Sequence, residues 1–106
     1  MIDDGGLGAA AALFKVLGSA SRLQLLQLLS AEPRTVGALV SATGMSQPLV
    51  SQHLRTLRHA GIATVARAGR DAVYQLADHH IAHVIDDAVA HVLEETPSTT
   101  LQGAAS

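Results

Sequence analysis

The sequence predicts one small, mostly α-helical domain carrying a single β-hairpin, in the order α-α-α-α-β-β-α. Three observations lead there: a length of 106 residues, apolar residues recurring at helical spacing, and two short strand-like runs joined by a glycine-containing loop. A chain this short buries only about two-thirds of the surface its unfolded form exposes, which argues against two domains with a cleft between them. Hydrophobic residues make up 48% of the chain and charged ones 15%, with one Phe, one Tyr and no Trp, so the core must be aliphatic. A small globule cannot hide that much aliphatic surface, and self-association is expected.

Leu7, Ala10, Leu13, Phe14 and Leu17 define a first helix that Gly18 ends. Ser19 caps a second helix, whose Leu23, Leu25, Leu26, Leu28 and Leu29 form a broad aliphatic face before Pro33 breaks the run. Thr35 caps a short third helix over 36–41 that stops before Gly44. Ser46, followed closely by Pro48, caps a fourth over 47–60, with Gly61 as its stop. Residues 62–66 and 72–76 read as strands joined by a loop over 67–71. Asp78 caps a last helix over 79–95, which Thr96-Pro97 ends. The domain therefore spans 7–95, between a flexible segment over 1–6 and a small, polar tail over 96–106 expected to be disordered.

The net charge of -2 hides a sorting of charge along the chain. No acidic residue lies between Pro33 and Arg70, where Arg34, Arg55, Arg58, Arg67 and Arg70 fall; from Asp71 onward there are acids and no Lys or Arg. Such asymmetry points to a basic surface for a polyanion and an acidic segment with another task. The third and fourth helices with their tight turn have the geometry of a helix-turn-helix, and the hairpin after them that of a wing. On the fourth helix Val50, Leu54 and Leu57 share the core-facing side, leaving Gln47, Ser51, Gln52, Arg55 and Arg58 on the other. Amide, hydroxyl and guanidinium groups suit both base edges and phosphates of double-stranded DNA, and Arg67 and Arg70 at the wing tip would reach the neighbouring backbone or minor groove. A solvated helix face with a few arginines is the bland alternative, and the joint order of these features is what weighs against it. His53 and His59 read as ordinary, the first packed or hydrogen-bonded beside the core-facing stripe and the second at the surface.

The last helix has two stripes. Ile81, Val84, Ile85, Ala88 and Val92 form an apolar one, and His80, His83, Asp87, His91 and Glu94 a second made of possible metal ligands. His80 and His91 are eleven residues apart, about 16 Å along a helix axis, so one ion cannot bridge them within one chain. An antiparallel copy of the helix would bring Asp78 and His80 of one chain to His91 and Glu94 of the other, giving two sites per homodimer, with the apolar stripe and Leu13 as the seam. His83 with Asp87 is also a simple surface pair, and His79, His83 and Asp87 could hold a metal within the helix. With no Cys, disulfides and thiolate metal sites are excluded, and any metal is held by nitrogen and oxygen. Two imidazoles and two carboxylates suit Zn(II), with Co(II) and Ni(II) as alternatives. Neither HExxH nor a nucleophile-base-orienter set is present, so no enzyme is expected. Asp3 and Asp4 stand where a secretory signal would carry Lys or Arg, and no apolar run approaches the ~18 residues of a membrane span, so the expectation is a cytoplasmic protein with no membrane partner.

Over residues 7–95 the sequence resembles the ArsR/SmtB family of bacterial metal-responsive repressors. The resemblance is carried by Leu17-Gly18-Ser19-Ala20-Ser21-Arg22-Leu23, by the stretch from Ser46 to Leu57, by the wing from Arg67 to Tyr74, and by D-x-H-x10-H-x2-E on the last helix, matched by Asp78, His80, His91 and Glu94. It implies a homodimeric winged helix-turn-helix repressor that binds operator DNA without metal and releases it when zinc binds, so that metal efflux or sequestration genes are expressed. It further implies that His91 bonds through its second ring nitrogen to a backbone carbonyl near Gly61, coupling the metal site to the DNA-reading helix. The alternative is a regulator of the same fold that senses nickel or cobalt, or no metal. His83 is a possible substitute ligand.

Overall fold

A computed structural model describes residues 4–94 of the chain. Its helices are α1 (Leu7–Leu17), α2 (Ala20–Ala31), α3 (Val36–Thr43), α4 (Gln47–His59) and α5 (His79–Glu94). Its strands are β1 (Arg34–Thr35), β2 (Ala63–Ala68) and β3 (Asp71–Leu76). The four side-chain caps expected from the sequence are present. Ser19 accepts from the Arg22 amide at 3.2 Å, Thr35 from Ala38 at 3.1 Å, Ser46 from Leu49 at 3.3 Å and Asp78 from Ile81 at 3.2 Å. Each satisfies an amide that the helix itself leaves unbonded. Asp4, in the segment expected to be flexible, also meets a helix start, its carboxylate accepting from the amides of Gly6 at 3.0 Å and Gly8 at 2.7 Å. The tail over 96–106 lies outside the described residues.

The core divides into two clusters. Leu25, Leu29, Leu39, Val50 and Leu54 seat the α3–α4 pair on α2. Leu17, Leu26, Leu57, Ile62, Ala63, Ile81 and Ile85 join α1, α2, the end of α4, the start of β2 and α5. Burying a side chain of this size contributes about 1.5–3 kcal/mol, and the described residues bury no polar or charged side chain to offset that.

The sheet departs from expectation in three ways. The two-residue β1 pairs with β3, Arg34 opposite Tyr74 and Thr35 opposite Val73, giving the order β1-β3-β2. Two residues are too few to show an alternating pattern, so no sequence periodicity could announce them. The hairpin also continues past its expected loop: Arg67 pairs with Ala72 and Ala68 with Asp71, leaving Gly69 and Arg70 as the turn. Gly69 sits at φ 66, the left-handed conformation a two-residue hairpin turn favours glycine for. Ile62 belongs to the turn before β2 rather than to the strand, yet it is fully buried. α4 ends at His59, with Ala60 as its C-cap and Gly61 following at φ 75. α3 runs two residues past its expected end, to Thr43, before Gly44 turns the chain at φ 77.

Candidate functional site

The turn from Gly44 to Ser46 directs α4 so that its two faces separate. Val50, Leu54 and Leu57 are at most 1% exposed, as their spacing requires. Gln47, Gln52, Arg55 and Arg58 are exposed, while Ser51 is half-buried beside the core-facing row. Leu49, outside the expected contact set, adds an exposed apolar side chain to α4. Among the described residues no carboxylate pairs with Arg55, Arg58, Arg67 or Arg70, so these four guanidinium groups are available to an external anion. Arg67 and Arg70 are both exposed at the end of the hairpin, Arg67 on a paired strand position and Arg70 in the turn. Arg34 is different: it donates to the Leu28 carbonyl at 3.0 Å and lies 3.6 Å from Glu32, which fixes β1 to the end of α2. His53 is half-buried, and burial, with the nearby Arg22 charge, lowers its pKa. That matches its reading as a packed histidine.

On α5 the structure brings together half of the expected ligand set. The Asp78 carboxylate lies 3.5 Å from Nδ1 of His80 at the helix start, and both side chains are largely exposed. His91 and Glu94 lie at the opposite end of the same helix. Among the described residues no three His, Asp or Glu side chains of one chain converge on a possible metal position. The chemistry of the donors fits a borderline divalent ion, since imidazole and carboxylate groups are ordinary Zn(II) ligands. They stand in two halves at opposite ends of α5, too far apart to meet on one ion within the chain.

The apolar stripe of α5 is partly buried and partly exposed. Ile81 and Ile85 are 8% and 3% exposed and belong to the chain's own core, so they have little surface left for a partner. Leu13 and Val84 are half-buried against that core, whereas Ala88 and Val92 are exposed. Phe14, Val92 and Leu93 add a large apolar surface, 58%, 65% and 68% exposed. Two shallow apolar grooves run along this face, one of about 180 Å³ that includes Phe14, Leu23 and Val84, the other of about 210 Å³ between Leu23 and Val92. Phe14 and Leu93 lie outside the expected apolar stripe. The signal for Phe14 lies in α1, which carries one charged residue, Lys15, and is otherwise apolar on all sides, yet buries only Leu17 within the chain.

A helix-turn-helix followed by a two-stranded wing, with arginines on the outer face of both, defines a winged helix-turn-helix DNA-binding fold. Residues 19–65 match the family of bacterial regulatory proteins described as the arsR family. The chain is 46% identical over 77 residues to the HTH-type transcriptional repressor SmtB of Mycobacterium tuberculosis, covering 73% of this chain and 57% of that protein. It is 40% identical over 81 residues to the HTH-type transcriptional regulator NmtR of the same species, covering 76% of this chain and 68% of the relative. Among solved structures, it resembles the homodimeric winged helix-turn-helix DNA-binding domain Mb0332 of Mycobacterium bovis, a possible ArsR-family transcriptional regulator, with a TM-score of 0.77, 28% identity and 98% of each chain covered. This chain belongs to the ArsR family of transcriptional regulators. The family and fold are those of regulators rather than enzymes. No helix among the described residues is long and apolar enough to cross a membrane.

Proposed function

We propose that two copies of this chain form a metal-responsive repressor: the dimer holds operator DNA against α4 and the wing, and zinc releases it, allowing metal efflux or sequestration genes to be expressed. The observation that carries the reading is the division of the donors on α5, Asp78 and His80 at one end and His91 and Glu94 at the other. Two antiparallel copies of α5 would complete two four-ligand sites, each with two imidazoles and two carboxylates. The exposed Phe14, Ala88 and Val92 are the surface such a pairing would cover.

The core supplies a route between the two functions. Leu57 and Ile62, on either side of the Gly61 turn, pack in one cluster with Ile81 and Ile85 of α5. A change in the position of α5 is therefore felt at the end of the DNA-reading helix, because a close-packed cluster transmits a shift rather than absorbing it. In thermodynamic terms zinc must bind the low-affinity conformation more tightly than the DNA-competent one, and DNA must then weaken zinc binding by the same factor. Titration of operator fragments with the wild-type protein and with His80→Ala, with and without zinc, tests the reading. Zinc is expected to weaken wild-type binding at least about fivefold, the lower end of typical coupling, and to leave the variant unaffected. Wild-type binding that ignores zinc would overturn it.

A further inference from the structure

α5 carries a second arrangement of donors that the ligand set above does not use. His79 and His83 are one helical turn apart, with ring centroids 5.6 Å from each other in an edge-to-face arrangement. His80 stacks on His79 with centroids 4.5 Å apart. Two imidazole nitrogens at about 2.0–2.1 Å from one ion, with a near-tetrahedral angle between them, place the ring centroids about 5 Å apart. The observed centroid separation of 5.6 Å is close to that value. Both rings are exposed, and His79 lies nine residues before Ala88, about two and a half turns, on the opposite side of the helix from the apolar strip. A second copy seated on Ala88 and Val92 would leave the pair open to solvent. Asp78, at the helix start, offsets the positive end of the α5 dipole, which would otherwise repel a cation, and Asp87 adds negative charge one turn beyond His83.

We propose that His79 and His83 form a second, exchangeable metal site within each chain, taking a late first-row divalent ion through two imidazole nitrogens, with water in the remaining positions. Among the described residues no third side chain converges on the pair, so the site is open and quick to exchange, unlike a four-ligand shell between chains. Of the divalent ions, Cu(II) binds such nitrogen donors most tightly, which makes it the probe.

The test uses the full chain carrying His80→Ala and His91→Ala, which removes both histidines of the interchain set, titrated with Cu(II) and followed by electron paramagnetic resonance. One Cu(II) per chain is expected, with hyperfine structure from two nitrogens. Adding His83→Ala should weaken binding about tenfold or more and remove one nitrogen, whereas adding His59→Ala should change neither. Circular dichroism checks that each variant is folded. Absence of bound copper in the double variant, or copper whose affinity and nitrogen count ignore His83→Ala, would overturn the proposal. In the wild-type background, His79→Ala should leave zinc-dependent release of DNA intact; loss of that response would place His79 in the interchain site and overturn the separate one. Copper retained by the double variant when zinc fails to release DNA from the wild type would uphold this site while removing the function proposed above.

Discussion

Leu54 and Arg55 are adjacent in the chain and about 100° apart around α4, so truncating each to alanine separates what the two faces of the helix do. Leu54 is 1% exposed and packs in a cluster with Leu25, Leu29, Leu39 and Val50. Its replacement removes the side chain from a site with no solvent to fill the gap, which typically costs about 2–5 kcal/mol, a large share of the stability of a small domain. Arg55 is exposed and has no carboxylate partner among the described residues. Arg55→Ala should therefore change stability by less than about 0.5 kcal/mol. If Arg55 lies on a phosphate, its loss lowers the slope of log affinity against log salt by about 0.9; if it reads a base, it costs about 1–3 kcal/mol at one position of the operator. Urea unfolding followed by circular dichroism gives the first quantity, and fluorescence anisotropy of a labelled operator fragment at several salt concentrations gives the second. The reasoning is refuted if Leu54→Ala unfolds within about 1 kcal/mol of wild type, below the range for a buried leucine. It is equally refuted if Arg55→Ala binds every fragment with unchanged affinity and salt slope.

Stability should also depend on His53. Its pKa is lowered in the fold, so between that value and the ordinary 6.5 the unfolded chain binds more protons than the folded one. The stability linked to this residue is complete above pH 6.5 and is lost as the pH falls through the lowered value; His53→Gln should flatten that dependence in urea midpoints measured from pH 7.5 down to 5. Asp78 serves two purposes that a pair of variants can divide: Asp78→Asn keeps an acceptor for the Ile81 amide and should stay near wild-type stability, while Asp78→Ala loses about 1 kcal/mol. Both should weaken zinc binding in calorimetry, and full zinc affinity in either would remove Asp78 from the ligand set. Val92→Glu puts a charge on an exposed part of the α5 stripe and should shift the protein to monomer in analytical ultracentrifugation without lowering its helix content. A dimer of unchanged strength would move the seam elsewhere.

Much of this architecture is written in local signals. Ser19, Thr35, Ser46 and Asp78 mark their helix starts because a short polar side chain before an apolar run has one efficient use there, and Val50, Leu54 and Leu57 mark the inner face of α4 through spacing alone. The residues that escaped are those whose role depends on distant partners. β1 exists because β3 offers an edge to Arg34 and Thr35, which no property of those two residues announces. The apolar stripe of α5 has one period but two environments: Ile81 and Ile85 turn toward Leu26 and Leu57 of their own chain, while Val92 stays exposed. Periodicity identifies a face and cannot say whether the same chain or another covers it. The hairpin was legible as a hairpin, but its length was not, because charged residues such as Arg67 pair as readily on an exposed ladder as they sit in a loop.

The central claim is that each zinc site is assembled from two chains, and a mixed dimer tests it most directly. Neither His80→Ala nor His91→Ala alone should hold zinc tightly, since each homodimer lacks one ligand at both sites. When the two variants are combined, one of the two sites in each mixed dimer regains Asp78 and His80 from one chain and His91 and Glu94 from the other. Equilibrium dialysis of purified mixed dimers should then recover tight binding of one zinc ion per dimer. Mixed dimers that bind zinc no better than either parent would contradict an interchain site.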